Sequence, residues 1–158
     1  MRLQNKHWLI LGGSLSVAIA LLHVAIIFGG APAYRYFGAG EEMAELATNG
    51  SVLPALLTLF LAMIFTLWGL YAFSGAGLMR RLPLLRLGLI LIAGVYTLRG
   101  IGVIPQVVWM FVSPQSVAPR EIVFSLASLF VGIAYLVGIL SSWERLKASR
   151  QTVPTKNQ

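Results

Sequence analysis

The chain has no cysteine, which removes thiol redox chemistry, disulfide exchange and thiolate metal sites in one step. Histidine is nearly as scarce, with only His7 and His23. On one helix these two lie about 24 Å apart at 1.5 Å per residue, so one iron cannot be gripped by both, and no cofactor or metal is expected. Acidic residues number five in 158, and none falls within the apolar runs described below. Charged residues of both signs reach 11%, against roughly 25% in an ordinary soluble domain.

What fills the space is hydrocarbon, at 58% hydrophobic residues. A ~30 Å bilayer core takes about 20 apolar residues per helical crossing, and four such runs are present: 8–30, 52–73, 84–104 and 122–141. None alternates with the period of a strand, so all four are expected to be helices. The expected fold is all-α, an integral membrane four-helix bundle in a single domain over 1–158. An outer loop 31–51, a cytoplasmic loop 74–83, an outer loop 105–121 and a tail 142–158 connect and follow the spans.

Orientation follows from the basic residues, because short positively charged loops stay on the cytoplasmic side. Arg2, Lys6, Arg80, Arg81, Arg86, Arg145, Lys147, Arg150 and Lys156 share one side, and only Arg35 and Arg120 the other. Both termini are therefore expected in the cytoplasm of a cell whose inner membrane holds the protein. The net charge of +7 is an orientation signal and an attraction to anionic head groups, and nucleic acid is not an expected partner. Ala31-Pro32-Ala33 imitates a signal cleavage site, but the apolar stretch before it exceeds a signal core, so the first helix is expected to stay.

Local signals refine these elements. Gly12, Ser16 and Ala20 recur every four residues, a small-residue stripe suited to close helix packing, and His23 continues that face. A short helix is expected from Gly40 to Thr48. Ser51 is a candidate N-cap for the second span, with Pro54 in the first turn. In the fourth span Ser125, Ser128, Gly132, Tyr135, Ile139 and Ser142 follow a 3-4 spacing, a heptad seam of small and polar groups whose opposite face should meet lipid. The segments Gly38-Ala39-Gly40 and Gly75-Ala76-Gly77 are too short for a phosphate-binding signature, and no strand precedes them.

Arg99 breaks the pattern. An arginine at membrane depth costs at least ~2.5 to 3.5 kcal/mol and does not shed its proton, so it should be partnered, hydrated or functional. Counting inward from the expected outer boundaries places His23, Thr58, Arg99 and Ser128 at one depth, about 9 to 11 Å below the outer surface, with Tyr96 and Tyr135 deeper. These six define an expected outward-opening pocket for an anionic or lipid-like amphiphile, with Phe65 and Trp68 as apolar lining. A guanidinium facing His23 would hold the imidazole neutral. Glu41 or Glu42, folded inward on the first loop, would meet Arg99; alternatively Arg99 snorkels upward to water or lipid phosphate, which its long stem permits.

Three functions compete. The first is a non-catalytic binder or accessory subunit, whose partners are membrane lipids, a lipophilic small molecule, another membrane protein or a second copy of the chain. The second is a membrane-embedded enzyme with His23 as acid or base, Arg99 polarising an oxygen, and Glu41 or Glu42 as second proton carrier. The third is a small proton-coupled transporter, which the lack of a carboxylate at mid-membrane disfavours.

Overall fold

Apolar runs of this length have no water to satisfy their backbone, so each N–H must find a carbonyl in its own segment. The computed structural model describes residues 6–113 and 118–147, and these are helical apart from short connections, with no strand among them. In chain order the helices are α1 (His7–Tyr36), α2 (Glu41–Thr48), α3 (Leu53–Gly75), α4 (Leu85–Ile101), α5 (Val103–Val112), α6 (Pro119–Ser141) and α7 (Trp143–Lys147). Four stretches are long and apolar enough to cross a membrane: His7–Tyr36, Leu53–Gly75, Leu85–Val112 and Pro119–Ser141. The expected polar tip carrying Arg150 and Lys156, and Arg2 at the other terminus, lie outside the described residues, as do 114–117.

Two connections differ from the sequence-based expectation. Helix α1 continues past residue 30, broken at Gly30, whose φ of 61° and ψ of −150° suit glycine alone. Pro32 falls in the first turn after that break, where its missing N–H removes no helix bond. The resulting bend sets Tyr34 against Ile26 and Ala44, so the expected short helix, present as α2, folds back onto α1. The second difference lies after residue 104, expected to be loop. Gly102 keeps helical angles and α5 carries the third span on to Val112. Pro105 occupies the first turn of α5 and does not end the helix. The combined stretch of 28 residues is about 42 Å long.

Close approaches at glycine define how the long helices pack. Gly13 and Gly69 join α1 to α3, where Gly13 faces Ala72 and Phe73 and Gly69 faces Val17. Gly138 meets Leu9, joining α1 to α6. Gly132 meets Thr97 and Gly100 meets Leu129, joining α4 to α6. Tyr71 covers Gly88 and Leu89 reaches Gly75, which closes α3 on α4 at the end of the molecule that carries Arg80, Arg81 and Arg86, the basic end. All six seam residues expected on α6 are buried, and Val123, Leu126, Phe130, Ile133 and Leu140 on the same helix are exposed.

The α4–α6 contact leaves no room for a side chain. A Cβ at Gly100 would lie 2.5 Å from the Leu129 Cα, a backbone atom that moves only with its helix. Gly100→Leu is therefore expected to force the two helices apart at a cost of about 1–3 kcal/mol, seen as a lower unfolding midpoint in detergent. Gly94→Leu, at an exposed position with open space around it, is the matched control and should leave that midpoint in place.

Candidate functional site

One hydrogen-bonded chain ties the four long helices together. Tyr135 Oη lies 3.0 Å from the Trp68 carbonyl oxygen, which can only accept, so Tyr135 donates there. Its single hydrogen is then committed, so Ser16 Oγ donates to Tyr135 Oη at 2.9 Å. By the same count Tyr96 Oη donates to Ser16 Oγ at 3.1 Å. The series Tyr96, Ser16, Tyr135, Trp68 thus links α4, α1, α6 and α3, and every hydroxyl hydrogen in it is used. Ser16 and Tyr135 are fully buried and Tyr96 is 3% exposed.

Aromatic rings extend this centre. Tyr96 stacks on Tyr135 at 5.8 Å and meets Trp68 edge-on at 5.2 Å, Trp68 meets Phe65 at 5.2 Å, and Phe65 meets His23 at 4.9 Å. The structure therefore brings Tyr96 and Tyr135 together, as the pocket reading required, but they fill the space between the helices instead of lining it. Two recesses of about 360 Å³ lie elsewhere. One is at the basic end, lined in part by Ser74, Arg80, Arg81 and Leu146, and the other is an apolar groove along α1 and α3 that includes Val24, Met63 and Leu67.

Arg99 is not in the interior. It is exposed, and no hydrogen bond or ion pair engages its side chain among the described residues. Three residues separate it from buried Tyr96, which is 300° of rotation, so Arg99 sits about 60° round the helix from the core-facing tyrosine. Eleven residues, close to three turns, separate it from Gly88, so it continues the strip of α4 that Tyr71 covers lower down. At Arg99 that strip is open.

The common layer also separates. Leu9 and Leu89 both meet Gly75, and Leu9 meets Gly138, which fixes one level near the basic end. From that level Arg99 and Ser128 are each ten residues along, about 15 Å, whereas His23 is about 21 Å and Thr58 about 25 Å away. Arg99 is thus deeper than expected because α5 extends its helix. It lies about 20 Å from either end of the stretch Leu85–Val112.

Of the remaining candidates, His23, Ser128 and Glu41 have local partners. His23 is half-buried, and its Nδ1 lies 2.8 Å from the Ile19 carbonyl, which can only accept, so Nδ1 carries a hydrogen and donates it there. Ser128 is buried and donates to Phe124 O of its own helix, and Thr58 is buried on α3. Glu41 does not approach Arg99. It accepts from Arg35 Nε at 2.8 and 3.0 Å and from Nη2 at 2.7 Å, an exposed bidentate pair between the end of α1 and the start of α2. Glu42 is exposed on α2. No three metal-ligating side chains of the His, Asp or Glu type gather among the described residues.

The Arg35 guanidinium holds the Glu41 carboxyl below the usual carboxylate range, hydrogen bonding being the largest cause. A lowered folded value means that the pair's contribution is complete above the ordinary carboxylate range and is lost as pH falls through the lowered value. Amide protection factors in α2, taken relative to the intrinsic exchange rate at each pH, are therefore expected to fall in acid, and Glu41→Gln should flatten that pH dependence.

Ser16 was the residue that sequence reasoning missed, since its place in a small-residue stripe is fully explained by packing. The available signal was two tyrosines, Tyr96 and Tyr135, on spans that such a stripe would draw close. Gln106, whose Oε1 accepts from Ser125 Oγ at 2.8 Å and joins α5 to α6, was likewise assigned to loop. Compared with known proteins, the chain matches no family model, no curated protein and no solved structure.

Proposed function

We propose that this protein is a non-catalytic subunit of a membrane assembly, a four-helix bundle that docks another membrane component along the strip of α4 that carries Arg99. One observation carries the reading: a permanently charged side chain, mid-way along its span, is exposed and has no side-chain partner among the described residues. Left in hydrocarbon it costs at least ~2.5 to 3.5 kcal/mol, a cost that a docked component removes. The centre of the bundle supports the same conclusion, because the hydroxyls of Tyr96, Ser16 and Tyr135 use all their hydrogens on one another and on the Trp68 carbonyl.

Less supports catalysis. His23 uses Nδ1 on its own helix, and Glu41 is held by Arg35 at the far end, so the residues of the enzyme reading are not joined by any hydrogen bond among the described residues. In this reading both termini and the basic end face the cytoplasm of the inner membrane, on the asymmetry of nine basic residues against two.

A photo-crosslinking residue at Val95, exposed one turn from Arg99, tests the proposal in native membranes. The expected result is a discrete adduct with another polypeptide, absent when the same probe is placed at exposed Phe60 on α3. Lipid adducts alone at Val95 would overturn it.

A further inference from the structure

Resting on that reading, we infer that the component docked at Arg99 is a transmembrane helix of a different protein bearing a carboxylate at mid-membrane. The strip demands neutralisation, since a guanidinium is matched in charge and in fork geometry by one carboxylate and only partly by neutral carbonyls. This chain cannot supply one. Its five glutamates are Glu41, Glu42 and Glu45 in α2, Glu121 in the first turn of α6, and Glu144 in α7, all outside the central region of the spans. A second copy docking on the same strip would bring another Arg99 and repulsion in place of an acceptor.

Lipid phosphates are poor candidates for a different reason. Arg99 lies about 20 Å from each end of Leu85–Val112, and upward reach along the stem serves arginines near helix ends. A fatty-acid carboxylate stays at the interface with those phosphates. The neighbourhood also suits a helix: Val95, one turn from Arg99 on the same side of α4, and Leu98 next to it are exposed and apolar.

The test uses the full chain in phosphatidylcholine vesicles with labelled single-span leucine-alanine helices, reading association by energy transfer. A probe with glutamate at its centre is expected to bind about tenfold more tightly than one with leucine there. Moving the glutamate ten residues toward one end should abolish the gain, and so should Arg99→Leu in the protein, with near-ultraviolet circular dichroism of the buried aromatics reporting that the fold is kept. Equal binding of the glutamate and leucine probes overturns the inference. So does a gain that survives Arg99→Leu, or an Arg99-dependent affinity for phosphatidylglycerol or oleate that displaces the central-glutamate probe. The two proposals fail separately. Protein adducts at Val95 without a preference for the glutamate probe would leave the subunit reading standing and remove the acidic partner. A strong preference without protein adducts would overturn the subunit reading, and the partner with it, while showing that Arg99 accepts a mid-membrane carboxylate.

Discussion

Truncating Tyr135 to alanine is expected to cost about 3–5 kcal/mol, enough to remove most of the stability of a small domain. Tyr135 is the largest fully buried side chain, it stacks on Tyr96, and its hydroxyl sits between Ser16 and the Trp68 carbonyl. Alanine removes the ring and opens a cavity at the point where all four long helices meet. Tyr135→Phe separates the two contributions, because it keeps the ring and deletes only the hydroxyl. About 0.6–2 kcal/mol is expected for that change, the range found for hydrogen bonds between membrane helices. The donor order derived above adds a sharper expectation. Ser16→Ala leaves the Tyr96 hydroxyl without its acceptor, so combining it with Tyr96→Phe should cost less than the two single changes added together. Reversible unfolding in mixed micelles measures all five variants. Strict additivity would mean that the three hydroxyls do not act as one series.

The spans were legible because hydrophobic length is a one-dimensional property, and runs free of acidic residues admit few other structures. The α6 seam was legible for a related reason. Its 3-4 spacing of serine, glycine and tyrosine names a face without reference to any neighbour, and all six residues are buried. What stayed hidden depended on rotation and register between helices. Tyr96 and Arg99 are separated by three residues, and the 60° between them carries the side chain from the core to the open surface, a difference that no pattern within α4 announces. Arg99 lies farther from the end of its apolar stretch than expected, because that stretch was expected to end at residue 104. A proline in the first turn of a new helix stops nothing, and α5 moved the end of the span outward to Val112. Ser16 illustrates the same limit from the other side, since its two tyrosine partners are 80 and 119 residues away along the chain.

Replacing Arg99 with leucine is expected to act with opposite signs on the isolated chain and on the assembly. In the isolated chain the arginine is exposed at mid-span with no hydrogen bond or ion pair to its side chain among the described residues, so its removal relieves a cost. On insertion scales, leucine at a helix centre contributes about −0.6 to −0.3 kcal/mol and arginine about +2.5 to +3.5, so α4 should insert more favourably by roughly 3–4 kcal/mol. Glycosylation mapping of α4 as a test segment reads that change directly. In native membranes the same substitution should eliminate the adduct at Val95, because the acceptor on the partner then faces hydrocarbon. A residue kept for its contribution to the fold moves both measurements in the same direction. Better insertion together with lost association is the signature of a charge retained for a partner, and Arg99→Lys refines it. Lysine keeps the charge but not the planar fork, so association should fall partway while insertion stays close to that of the arginine form.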